Sequence, residues 1–132
     1  MNMEYLSTLP EVINEYNVKL QDGEKVIFTA KLSTFGTEKD RILGLESKFT
    51  LTNKRIFANN GVGLWTIDIA EEIASCEKIS SGWLIFKSTY FSVTLNSEMV
   101  FDDGKQILTG FHFYFNPKDI EKFEEITNNL FN

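Results

Sequence analysis

One cysteine, one histidine and two prolines are spread over 132 residues, and each scarcity removes a class of answers. Cys76 cannot close an intramolecular disulfide, and a lone thiol with a lone imidazole cannot build a metal cage, so a reducing, cytoplasmic setting without cofactors is expected. No stretch approaches the roughly 20 apolar residues of a membrane-spanning helix. Residues 1–9 contain Glu4 and neither Lys nor Arg, so no export or anchoring signal is expected. Basic residues are the minority, 13 against 19 acids, which gives a formal net charge of −6. A nucleic-acid backbone needs a concentrated basic surface, and nucleic acid is therefore not an expected partner.

Apolar and aromatic residues are plentiful, at 42% and 14% with twelve Phe, enough to offset the entropy of ordering one core. The length suits a single domain over residues 1–132. Ser7 to Tyr16 reads as a short helix within an N-terminal extension at about 7–20. Ser7 and Thr8 suit a cap, Pro10 a first turn, and Leu9, Val12, Ile13 and Tyr16 recur at helical spacing.

From about residue 23 to 115 the period becomes two. Lys25 to Leu32 predicts a strand with Val26, Phe28, Ala30 and Leu32 inward and Ile27 outward. Arg41 to Thr52 predicts a second, with Leu43, Leu45, Phe49 and Leu51 inward, Thr50 outward and a bend at Gly44. Thr52-Asn53-Lys54 turns the chain into Arg55 to Ala58, and Asn59-Asn60-Gly61 has the positive-φ residues of a tight hairpin. Trp65, Ile67 and Ile69 alternate in the next strand. Further strands are expected at Cys76–Ile79, Trp83–Lys87, Tyr90–Asn96 and Ile107–Phe115, with breaks at Ser81-Gly82, Lys87-Ser88-Thr89 and Asp102-Asp103-Gly104. Asn116-Pro117-Lys118-Asp119 then opens an amphipathic helix over about 117–131, with Ile120, Phe123, Ile126, Leu130 and Phe131 on one face. The fold expected is mainly β: a curled antiparallel barrel of about seven strands whose open end the C-terminal helix caps.

The turn Leu51-Thr52-Asn53-Lys54-Arg55-Ile56, the Gly61 hairpin, the strand Thr66-Ile67-Asp68-Ile69 and the helix from Asn116 to Leu130 resemble the bacterial pleckstrin-homology and related GRAM-type domains. The resemblance spans about Gly23 to Phe131 and leaves the N-terminal helix outside it. It implies a non-enzymatic module that recognises proteins or self-associates into oligomers. The eukaryotic members that bind phosphoinositides carry a Lys…Lys-x-Arg arrangement, and Lys31, Lys39 and Arg41 match it.

Little else suggests chemistry. His112 lies in Phe111-His112-Phe113-Tyr114-Phe115, beside Tyr114 on the face opposite the phenylalanines, with no nucleophile or acid specified nearby. Cys76 reads as a packed small hydrophobe. Glu71-Glu72 and Asp102-Asp103 lack the spacing of a calcium loop and read as solvated charges, and Gly61-Val62-Gly63 lacks the ending of a phosphate loop. Trp65 and Trp83 read as packing residues. Phe35, in the polar stretch Ser33–Thr37, either folds back onto the barrel or is exposed to a partner or bilayer. A protein partner or homo-oligomer is therefore the first expectation. Acidic lipid bound by Lys31, Phe35, Lys39 and Arg41 is the alternative, although Glu38 and Asp40 interleave with those cations and dilute their field.

Overall fold

Alternate phenylalanines at 111, 113 and 115 need an enclosed surface, and the strands supply one by rolling around them. The computed structural model of the chain describes residues 1–82, 88–101 and 106–131. Helix α1 (Met3–Thr8) precedes β1 (Val26–Thr37), β2 (Ile42–Thr52), β3 (Arg55–Asn59) and β4 (Leu64–Asp68). The single-turn helix α2 (Ile69–Glu72) leads to β5 (Ile73–Ser81), β6 (Ser88–Phe101), β7 (Gln106–Phe115) and α3 (Pro117–Phe131). The strands form one antiparallel sheet in the order β4-β3-β2-β1-β7-β6-β5, a curled half-barrel with β4 and β5 at its edges.

Strand β1 is the hinge of this arrangement. It pairs with β2 from Val26 to Gly36 but with β7 only from Leu32 to Thr37. The part of its edge that β7 leaves is met by the segment between α1 and β1. There the Val12 N–H donates to the Val26 carbonyl at 2.8 Å, and the Thr29 hydroxyl donates to Glu15 Oε2 at 3.2 Å.

Phe123 projects from α3 into the barrel, with ring centroids 4.6 Å from Phe115, 4.7 Å from Phe91 and 5.4 Å from Phe49. Phe123, Ile126 and Leu130 are buried, as the helical spacing predicts. The space left between α3 and the strands is about 10 Å³, no more than one water could fill. Helix α1 closes the same end, with Leu6 fully buried and the Asn2 N–H donating to the Leu130 carbonyl at 2.6 Å.

Several expectations are corrected. The N-terminal helix ends at Thr8 instead of running from Ser7 to Tyr16. Leu9 is extended at φ −73° and ψ 143°, the conformation that a following proline imposes, so Pro10 ends this helix rather than opening one. Residues Ser33–Thr37 continue β1. Ile27 is buried together with Val26 and Phe28, because the ladder shifts register between those two neighbours. Leu45 is 63% exposed instead of inward: the next residue, Glu46, adopts φ 47° and breaks the alternation. Thr50 is buried where it sits between Thr29 and Phe57 on the flanking strands. Ile69 opens α2 rather than extending β4, although it remains buried. Ser88 and Thr89 are strand residues paired with Ser81 and Ser80.

Gly44 has a stricter role than a bend, since a Cβ there would lie 2.6 Å from the Phe35 ring and 2.7 Å from Asn60 Cβ. Gly61, at φ 91°, gives the β3–β4 hairpin the positive φ that was expected of it. The strand predicted at Trp83–Lys87, the packing role of Trp83 and the turn at Asp102-Asp103-Gly104 lie outside the described residues.

Candidate functional site: the turn between the first two strands

Residues 38–41 join β1 to β2 in a turn fastened by Thr37. The Thr37 N–H donates to the Arg41 carbonyl at 2.8 Å, and its hydroxyl oxygen accepts from the Lys39 and Arg41 N–H groups, each at 3.2 Å. Asp40 takes φ 61°, a left-handed conformation that aspartate tolerates better than most residues. Glu38 ties the turn to β7, its Oε1 accepting from the Thr109 hydroxyl at 2.9 Å and the Thr109 N–H at 3.3 Å. Burial pushes the Glu38 carboxyl up. Hydrogen bonds from its own N–H, from Thr109 and from the Gly110 N–H outweigh that and hold it below the usual range.

Thus fixed, the turn stands beside the outer face of the sheet and brings Asp40 Oδ1 to 3.8 Å from His112 Nδ1. The His112 side chain is 12% exposed, whereas that of Asp40 is 88% exposed. Tyr90 on β6 lies across from β7, its ring 4.6 Å from His112 and 4.9 Å from Tyr114. Burial first, then Tyr90 and Asp40, raise the Tyr114 hydroxyl above its ordinary value. Between turn and sheet is a cleft of about 410 Å³ whose lining includes Thr37, Asp40, Arg41, Ser88, His112 and Tyr114.

The four residues expected to bind acidic lipid separate into three places. Lys39 and Arg41 share the turn, and both are exposed. Lys31 lies six residues back along β1, about 20 Å at roughly 3.3 Å per residue, where it is paired in register with Lys48. Phe35 is fully buried, 5.3 Å from the Trp65 ring and 6.2 Å from that of Phe113, which excludes the exposed reading of this side chain. Its polar neighbours concealed it, and strict alternation from the buried Leu32 would have turned it outward; the register of β1 against β7 shifts between Leu32 and Thr34, and both Leu32 and Phe35 are buried.

His112 faces away from the phenylalanines, as alternation predicts. Its partners Asp40 and Tyr90 were not legible, because they arrive from a turn and from a neighbouring strand whose register no local pattern fixes. Ser92 sits opposite His112, and Ser88 lies four residues earlier in β6. Among the described residues neither serine hydroxyl is hydrogen-bonded to the imidazole. Of the pair Glu71-Glu72, only the Glu72 carboxylate is taken up by helix capping, its Oε1 accepting from the Asp68 N–H at 2.8 Å; Glu71 gives its backbone N–H to Asp68 Oδ1 at 2.9 Å and is exposed. The pair Asp102-Asp103 falls outside the described residues. Burial, and secondarily Glu77, pushes the Cys76 thiol up to about 12, so it is a poor nucleophile at neutral pH.

Among the described residues no group of three or more His, Cys, Asp and Glu is placed to hold a metal ion, and no helix is long and apolar enough to cross a membrane. No protein-family model, curated protein or solved structure matches the chain.

Proposed function

We propose that this chain is a non-enzymatic recognition module of the pleckstrin-homology-like type, acting by protein–protein contact that includes self-association. The observation behind this reading is a group of exposed apolar side chains where β2 begins. The Asn60 side-chain amide donates to the Leu43 carbonyl at 2.7 Å and pins the β3–β4 hairpin onto β2. Around that joint Ile42, Leu45, Val62 and Leu64 are 62%, 63%, 97% and 54% exposed. Isolated exposed apolar residues are ordinary, but four on two segments pinned together suit a contact surface. The adjoining β4 is a sheet edge, which can add a strand from another chain. A reducing, cytoplasmic setting accords with the single Cys76, and no enzymatic role is assigned.

Salt separates this reading from its alternative, an acidic-lipid module using Lys39 and Arg41. Two copies of a chain with net charge −6 repel each other, so apolar self-association strengthens as salt rises, whereas attraction to anionic bilayers weakens. Light-scattering mass is expected to grow with concentration and with salt, and to stay monomeric in a Leu45→Ser/Val62→Ser variant. A mass unmoved by concentration, together with salt-sensitive sedimentation on anionic liposomes that Lys39→Glu/Arg41→Glu abolishes, would replace the protein reading with the lipid one.

A further inference from the structure

We infer that the outer-face cleft between the β1–β2 turn and β7 is a site for a carboxylate carried by a peptide or small molecule, with Asp40 as the internal carboxylate that such a ligand displaces. The inference is independent of the apolar surface around Val62. It rests on the inventory of the cleft and on how firmly each member is held.

Residues able to donate predominate in the lining: His112, Arg41, Thr34, Ser88 and Tyr114 accompany a single acid, Asp40. Among the described residues Arg41 makes no ion pair. The imidazole is fixed, being nearly buried and flanked by Tyr90, while the acid is loose: its side chain is almost fully exposed and 3.8 Å from His112, beyond hydrogen-bond length. Anchorage of the turn through Glu38 to Thr109 means that displacing Asp40 needs a side-chain rotation rather than a moved backbone. A carboxylate is the ligand chemistry because a carboxylate already occupies the approach to His112, and Tyr114 in the lining adds an aromatic ring for whatever carries it.

The charged and titratable groups around His112 are Asp40 and Arg41 from the turn, Tyr90 from β6 and Tyr114 from β7.

The test is an NMR titration of the full chain with benzoate, with its neutral isostere benzamide and inorganic phosphate as comparisons. Benzoate is expected to shift the His112 imidazole and the amides of residues 37–41 saturably, and benzamide to leave them unmoved. Asp40→Asn keeps a residue that accepts the left-handed backbone and removes the competing charge, so it should bind benzoate several-fold more tightly. Arg41→Gln should bind it several-fold more weakly, with unchanged spectra elsewhere as evidence of folding. Equal shifts with benzamide, tighter binding of phosphate, no shift at all, or weaker binding by a folded Asp40→Asn variant would each overturn the inference.

Discussion

Glu24 keeps its charge although its side chain is fully buried, because four donors converge on it. Arg55 gives it two hydrogen bonds, at 2.6 and 2.9 Å, the Thr52 hydroxyl one at 2.6 Å and the Gln21 N–H one at 2.8 Å. Burial raises the carboxyl, but the bonds from Arg55, Thr52 and Gln21 together hold it below the ordinary value of 4.5. A depressed folded-state value adds stability above about pH 4.5, and that stability is lost as pH falls through the lower value. Arg55→Met, which leaves the buried charge without its partner, is expected to cost about 3–5 kcal/mol at pH 7 in urea unfolding. Glu24→Gln should cost less and flatten the fall in stability between pH 5 and 3; an undiminished fall would assign acid sensitivity to other groups. Thr52 and Arg55 were legible as members of a turn motif. Their buried acid was not, since Glu24 lies 28 residues before Thr52.

At the scale of the element, α3 follows its spacing closely, because a helix that buries one stripe announces it every three or four residues. Phe123 is its deepest insertion, against Phe91 and Phe115. Phe123→Ala should destabilise the domain by about 3–5 kcal/mol, measured by denaturant unfolding; a loss under 1 kcal/mol would mean that α3 is dispensable to the barrel. The N-terminal helix was misplaced for an equally physical reason. Thr8-Leu9-Pro10 can be read as the opening of a helix or as its end, and the extended backbone of Leu9 decides for the end. Strand phases survive until something local interrupts them: the register shift beside Ile27 and the positive φ of Glu46 each turned one residue to the opposite environment. Neither interruption has a residue type that marks it, whereas Gly61 marks its hairpin plainly.

For the whole molecule, alternation and turn chemistry were enough to expect a curled antiparallel barrel with a closing helix, because both are written in neighbouring residues. The exposed apolar group is a different kind of feature. Ile42, Leu45, Val62 and Leu64 come from two segments that meet only because Asn60 bonds to the Leu43 carbonyl, so their proximity belongs to the fold and not to any stretch of sequence. The same holds for the cleft, where Asp40, His112 and Ser88 arrive from a turn and two strands. A resemblance in short motifs supports the expectation of a binding module without choosing its surface. The surface is instead argued from exposure and charge.

The most direct test of that reading is a concentration series of amide spectra on the full chain at near-physiological and high salt. The predicted result is that amides of residues 42–45 and 60–64 shift progressively as the protein is concentrated, more so at high salt, while those of β6 stay still. Spectra that do not change with concentration, or changes confined to residues 38–41, would contradict recognition through the apolar surface.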